Sequence, residues 1–183
     1  MSNILVHTCC APCLIAPYKK LHEAGHNVTA FWYNPNIHPL HEYQKRRDTL
    51  REFSATEGFE LVEADGYGLR EFLYHTIEDI ESRCNYCYLS RIEAVAKAAF
   101  EGGYDAFSTT LLYSKYQKHE LIIQIAREMS QKYQVEFFYD DWRLLWKEGI
   151  KLSKAAGMYR QQYCGCIFSE EERYRERIQR DQS

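Results

Sequence analysis

Seven cysteines fall into three tight groups: Cys9, Cys10 and Cys13 in "HTCCAPC", Cys84 and Cys87 in "SRCNYCYLSR", and Cys164 and Cys166 in "YCGC". Scattered single cysteines are mostly small buried hydrophobes, but grouped thiols point to metal or redox chemistry. Four thiolates satisfy either a tetrahedral zinc or a [4Fe–4S] cluster. The spacing leans to iron–sulfur. A structural zinc site takes two C-x2–4-C knuckles, whereas this chain has one C-x-x-C, an adjacent pair and a C-x-C. Seven thiols also exceed the four that one cluster needs, leaving up to three for a second metal or for none. The C-x-x-C opens a helical pattern, where free N–H groups and the helix dipole favour thiolates.

The rest of the composition narrows the setting. A chain of 183 residues buries a core without disulfide staples. An odd number of cysteines, no signal-peptide pattern and no apolar run of membrane-spanning length predict a cytoplasmic, disulfide-free protein with reduced thiols and no membrane partner. A net charge of −3 provides no overall basic field for a long duplex, though a local basic face is compatible with it. The loop "HTCCAPCLIAP" has no glycine and two prolines that lack N–H groups, so it is a poor phosphate cradle.

Five β-rich runs alternate with helix-period segments. The strand candidates are 4–6, 28–33, 59–62, 104–107 and 135–139; the helices are 17–24, 41–56, 69–80, 86–100 and 119–132, several ending at glycine. This alternation predicts an α/β domain with a parallel sheet of about five strands and helices on both faces. Trp142 to Ala156 reads as a further helix, and Ser169 with Glu172 reads as a capping box opening a charged C-terminal helix. The expected organisation is one domain over 1–183 with a helical extension from about 158. Ligands of open parallel sheets collect beyond the carboxyl ends of the strands. His7–Cys13, Asn34–Pro39, Ser108–Gln117 and Asp140–Asp141 all follow strands, so the active site is expected among them. His7 and His38 read as satisfied structural histidines near strand ends.

"HTCCAPC", "YNPNIHPLHEY", "RCNYCYLSR", "STTLLYSKYQ" and "GMYRQQYCGCIFS" together resemble the QueH-type epoxyqueuosine reductases, in the family's order and over nearly the whole chain. Lys115 stands where proline is common in that family. The resemblance implies an adenine-nucleotide α-hydrolase-like (HUP-like) fold with a metal centre at the carboxyl edge of the sheet. It implies a [4Fe–4S] cluster with an adjacent mononuclear iron, and a two-electron reduction of epoxyqueuosine at the tRNA wobble position to queuosine. An external electron donor is then needed. Cys10, Cys84, Cys87 and Cys164 are the expected cluster ligands, with Cys9, Cys166 and Cys13 left for the iron. That division assumes that adjacent cysteines diverge in an extended loop.

Asp140 and Asp141 read as proton donors or iron ligands, or alternatively as a solvated turn capping the helix that follows. The tRNA anticodon loop is expected to stack its bases on aromatic rings and to meet cations with its phosphates. Tyr33, Asn34, Tyr88, Tyr113 and Gln117 lie in or beside the motif loops, and Arg83, Arg91 and Arg160 are the expected phosphate contacts. The basic stretches Lys45-Arg46-Arg47 with Arg51, and Lys147, Lys151, Lys154 and Arg160 at helical spacing, read as solvated faces, Arg160 being the member nearest the proposed metals. Two other readings stay open: an ATP-using sulfur-transfer enzyme of the same fold, and a zinc-stabilised RNA-binding module.

Overall fold

The apolar run Ile4-Leu5-Val6 becomes the middle of a five-stranded parallel sheet in the computed structural model, which describes residues 1–64 and 66–181. The strands are β1 (Asn3–His7), β2 (Asn27–Trp32), β3 (Leu61–Glu63), β4 (Ala106–Thr109) and β5 (Glu136–Phe137), in the order β3-β2-β1-β4-β5. Ile4 aligns with Val28 on one side and Ala106 on the other. A strand paired on both edges and covered on both faces must be apolar throughout, and Ile4, Leu5 and Val6 are all buried.

Helices α1 (Ala11–Glu23), α2 (Leu40–Glu57) and α6 (Trp146–Ala155) cover one face, α1 packing against both others; α4 (Arg83–Glu101) and α5 (His119–Tyr133) pack together on the other. Short α3 (Leu69–Thr76) packs on α4, and α7 (Ile167–Asp181) has no buried residue. Trp32, Phe107, Leu14 and Ile92 anchor the two layers with almost no exposed surface, each contributing on the order of 1.5–3 kcal/mol. The chain fills β1-β2-β3 outward on one side of β1, then crosses to β4 on the other. The order therefore reverses between β1 and β4, and in open α/β sheets that reversal opens a crevice at the carboxyl ends.

Element boundaries shift from the sequence reading in several places, and three of the shifts lie at the crevice. Helix α1 begins at Ala11, not Pro17, because Pro12 sits in its first turn, where a missing N–H costs nothing. Pro17 lies inside the helix and removes the N–H that would reach back to the Cys13 carbonyl. Helix α4 begins at Arg83, so both thiols of the C-x-x-C lie in its opening turns. Strand β4 runs two residues later than its apolar run, because Ser108 and Thr109 are buried polar strand residues whose hydroxyls are bonded across the sheet edge. Ser169 is not a helix cap: its N–H donates to the carbonyl of Cys166, the residue preceding α7. Among the described residues no helix is long and apolar enough to cross a membrane.

Candidate metal centre

Three helix N-termini deliver the thiols. Cys10 is the N-cap of α1 with Cys9 before it and Cys13 in the first turn; Cys84 and Cys87 open α4; Cys164 and Cys166 precede α7. Each N-terminus carries unsatisfied N–H groups and about half a positive charge, which favours thiolate over thiol. The three meet at one cavity of about 880 Å³, lined by Cys9, Cys13, Cys84, Cys87, Cys164 and Cys166. The seventh, Cys10, has its Sγ 2.7 Å from that of Cys13. All seven are free thiols.

The α1 group is already gathered. The sulfurs of Cys9, Cys10 and Cys13 lie within 4.8 Å of one another and are buried, an arrangement that could hold a metal. Cys9 Sγ is 3.9 Å from Cys10 Sγ, so these neighbours do not diverge as an extended loop would make them. Cys10 itself keeps an extended backbone, φ −173° and ψ 155°, and α1 begins at the next residue. Thr110 receives the Cys9 N–H at 3.1 Å and donates its hydroxyl to Cys9 Sγ at 3.4 Å. Gln161 donates its amide N–H to Cys10 Sγ at 2.9 Å and to Cys13 Sγ at 3.3 Å. Hydrogen bonds from the Cys10 and Cys13 thiols pull Cys9 well below the ordinary thiol range, while burial raises Cys10 and the thiol hydrogen bonds raise Cys13. The triad thus sheds one proton easily and the others reluctantly, so a bound cation must displace protons.

In the second group, Cys87 and Cys166 pack with Phe72 in a small apolar cluster. Burial pushes Cys87 up to about 11, against the opposing pull of Arg91. The Cys166 thiol pulls Cys164 down to about 5, and the Cys164 sulfur in turn raises Cys166. Ser169 Oγ lies 3.0 Å from Cys164 Sγ, and the Ser169 N–H reaches Cys166 Sγ at 3.3 Å.

Two buried guanidiniums hold this frame. Arg91 donates to the Cys87 carbonyl at 2.8 Å and to Cys87 Sγ at 3.0 Å. Arg46 pairs with Glu42 at 2.6 Å and donates to the carbonyls of Cys164 and Tyr163, both at 3.0 Å, tying the C-x-C loop to α2. Both are almost fully buried. Arg46 is therefore not part of a solvated face, and Arg91 faces sulfur, where the sequence suggested phosphate. The glycine of the C-x-C has φ +130°, and its carbonyl accepts the His38 N–H at 2.8 Å.

The remaining sequence candidates divide. Tyr88, Tyr113, Gln117, Arg83 and Arg160 line the cavity. Asn34 does not: it is buried, accepting from His7 Nε2 at 3.2 Å and donating to the Thr8 carbonyl at 2.9 Å. Tyr33 also lies outside the lining, with its carbonyl facing His7 Nε2. His7 is fully buried, and burial, reinforced by Arg91, lowers it to about 4, so it stays neutral with its proton on Nε2 between two acceptors. Asp140 and Asp141 are absent from the lining. Asp140 accepts from Lys20 and the Trp142 indole at 2.6 and 3.0 Å; Asp141 accepts the Arg143 N–H and pairs with its side chain. They are the capping turn of the 3₁₀ segment Trp142–Leu145. Gln161, Thr110 and Ser169 were missed; all three are polar neighbours, in chain or across the switch point, of cysteines that were singled out.

The family model for "Epoxyqueuosine reductase QueH" matches residues 4–172. A protein of that name from Dehalococcoides mccartyi is 37% identical over 94% of this chain and 94% of its own length. Among solved structures, a predicted subunit of tRNA methyltransferase from Methanocaldococcus jannaschii superposes with a TM-score of 0.58 at 12% identity, covering 84% of this chain and 75% of its own. The U34-tRNA thiolase NcsA from Methanococcus maripaludis, solved with its [4Fe–4S] cluster, superposes with a TM-score of 0.55 at 12% identity, covering 98% and 67%. At that identity the two structures share the fold with this chain.

Proposed function

The chain belongs to the epoxyqueuosine reductase QueH family, and from that premise we propose that its thiol-lined cavity reduces the epoxide of epoxyqueuosine in a tRNA anticodon loop to the alkene of queuosine. The reaction adds two electrons and two protons and releases the oxygen as water. One observation carries the assignment of the site: six of seven thiols, from three distant parts of the chain, line a single cavity, with the seventh touching it through Cys13.

The donor set fits iron–sulfur chemistry. It is all sulfur, lies at three helix N-termini and carries hydrogen bonds from Gln161, Thr110, Ser169 and Arg91 that orient the sulfurs. When bound, a [4Fe–4S] cluster supplies electrons singly and an adjacent iron supplies Lewis acidity. The thiols divide by position into the α1 triad and the quartet on α4 and before α7. The quartet Cys84, Cys87, Cys164 and Cys166 would hold the cluster, and the triad Cys9, Cys10 and Cys13 the single iron. Relative to the sequence reading this exchanges Cys10 and Cys166, since Cys10 is in contact with Cys13 and Cys166 with Cys87.

The other residues handle orientation and protons. Tyr88 donates its hydroxyl to Gln117 at 2.6 Å, and Tyr113 to the Trp146 carbonyl at 3.2 Å. Burial raises both hydroxyls well above the ordinary tyrosine range, so they keep the protons that tie them to Gln117 and the Trp146 carbonyl and hold their rings in the cavity wall. Electrons come from an external donor.

Anaerobic reconstitution with iron and sulfide, followed by metal and sulfide counts and EPR, tests the assignment. About four sulfides per chain with iron in excess of sulfide are expected, together with turnover of an anticodon stem-loop carrying epoxyqueuosine. A colourless protein holding one zinc and no sulfide refutes it. Cys84→Ser should lose sulfide; Cys9→Ser should keep sulfide and lose the excess iron.

A further inference from the structure

Tyr116 is 85% exposed, a costly position for an aromatic ring, at the rim of the cavity. Its backbone is held by a turn in which the Ser114 hydroxyl accepts the Tyr116 N–H at 3.3 Å, and its own hydroxyl has no hydrogen-bond partner among the described residues. The ring is not loose: it stands edge-on to Trp146, centroids 5.8 Å apart at 76°. Trp146 in turn lies 5.2 Å from Tyr113 at 31°. Gly149, inside α6, explains the closeness, since a Cβ there would overlap the Tyr113 ring. The three rings form a staircase from the buried wall near Cys13 to open solvent, and all three line the cavity. Lys118 and Arg160 share the same rim, and neither makes an ion pair among the described residues.

Fixed aromatic faces interleaved with free cations are the chemistry that holds splayed single-stranded bases. We propose that Tyr116 and Trp146 form a stacking step for the base next to the epoxide-bearing nucleoside, so that the enzyme grips the flanking nucleotide while the modified base enters toward the thiols. This rests on the reading of the cavity as an epoxyqueuosine reductase site, and it adds residues that choose a nucleotide in a loop over a free nucleoside.

The test uses the reconstituted full chain and an anticodon stem-loop carrying epoxyqueuosine, with 2-aminopurine in turn at each position flanking it. With wild-type protein, binding should quench 2-aminopurine fluorescence at one flanking position. Tyr116→Ala should abolish that quench and weaken binding roughly 5- to 100-fold, as expected for loss of one stacked base. Its log Kd against log salt slope should match wild type, since no phosphate contact is lost. Tyr116→Phe, which keeps the face, should restore both quench and affinity. Tyr74→Ala, removing a 77% exposed ring from α3 outside the cavity, serves as the control and should bind like wild type. An unchanged quench and affinity in Tyr116→Ala overturns the proposal, as does an equal loss in Tyr74→Ala. If Tyr116→Ala binds RNA normally but accepts electrons more slowly from a protein reductase, the rim belongs to that partner and the assignment fails. If wild-type protein carrying iron and sulfide does not reduce the stem-loop at all, the functional reading itself falls, and the stacking step with it.

Discussion

Arg46 separates what holds the fold from what holds the metal site. Its side chain is 1% exposed and that of Glu42 is 8% exposed; the guanidinium spends itself on Glu42 and on the carbonyls of Tyr163 and Cys164. Burial opposes its charge, but the nearby Cys10 and Glu42 more than compensate, and its pKa is raised. Arg46→Met fills the space and removes the charge. Among the described residues Glu42 is then a buried carboxylate with only the Tyr159 hydroxyl as donor, and breaking one side of a buried pair costs about 3–5 kcal/mol. Two loop carbonyls also lose charged donors, worth about 1.5–3 kcal/mol each when counted alone. The losses overlap, so a total near 4 kcal/mol is expected, a large share of the 5–15 kcal/mol typical of a domain.

The double variant Arg46→Met/Glu42→Gln removes the stranded charge while leaving Tyr159 a partner. Its stability should return to within about 2 kcal/mol of wild type, but the C-x-C loop stays unclamped. Urea unfolding measures the first effect and sulfide per chain after anaerobic reconstitution the second. Stability recovered with sulfide still low is the expected pair of results. A double variant that recovers both, or an Arg46→Met single variant that loses less than about 1 kcal/mol, refutes the clamp.

Three further outcomes follow from single contacts. Gly165→Ala forces a side chain onto φ +130° and puts its Cβ 3.0 Å from Ile37 and 3.3 Å from Arg46; a loss of about 1–3 kcal/mol in urea unfolding is expected, with lower iron content. Gln161→Leu removes the N–H donors to Cys10 and Cys13; iron retention against a chelator should weaken about 10- to 100-fold, and an unchanged chelator titration rules out that role. Asp141→Asn keeps the oxygen that caps the Arg143 N–H and removes only the charge paired with the Arg143 side chain; thermal melting should show a loss of about 1 kcal/mol or less with epoxide turnover retained, and lost turnover would return that carboxylate to the active site.

The gathering of thiols was legible in the sequence because its premises were local. Tight cysteine groups point to candidate ligands, and alternation of strands and helices puts the loops after β1, β2 and β4 on one edge. What the sequence hid was direction. Arg91 sits four residues after Cys87, which on a helix is one turn along the same face, so its guanidinium turns inward to sulfur. Arg46 stands in a basic run that looks solvated, but its i,i+4 relation to Glu42 places both on the buried stripe of α2. Asp140 and Asp141 precede a helical turn: Asp141 caps it through the Arg143 N–H, and Asp140 accepts from Lys20 and the Trp142 indole, which turns both away from the cavity. The strand order was also out of reach, since the crossover from β3 to β4 leaves no composition signal, and it is that crossover which sets Thr109 and Thr110 beside His7 and Cys9.

Charge is layered by depth, an arrangement that suits the proposed entry of an anionic polymer into a sulfur-lined basin. Innermost, Arg46 and Arg91 are committed to the C-x-C carbonyls, to Cys87 and to the potential of Cys9, Cys10 and Cys164. Three helix N-termini add fixed partial positive charge that salt screens poorly at such depth. These groups offset the sulfur charge locally, so the cavity does not repel a phosphate backbone as bare thiolates would. Lys118 and Arg160, which make no ion pair among the described residues, stand at the rim, where the proposed stacking step would receive a backbone and a splayed base. Exchanging the two layers would fail in both directions: a buried unpaired cation would be lost to desolvation, and an exposed thiolate cluster would meet oxygen before substrate.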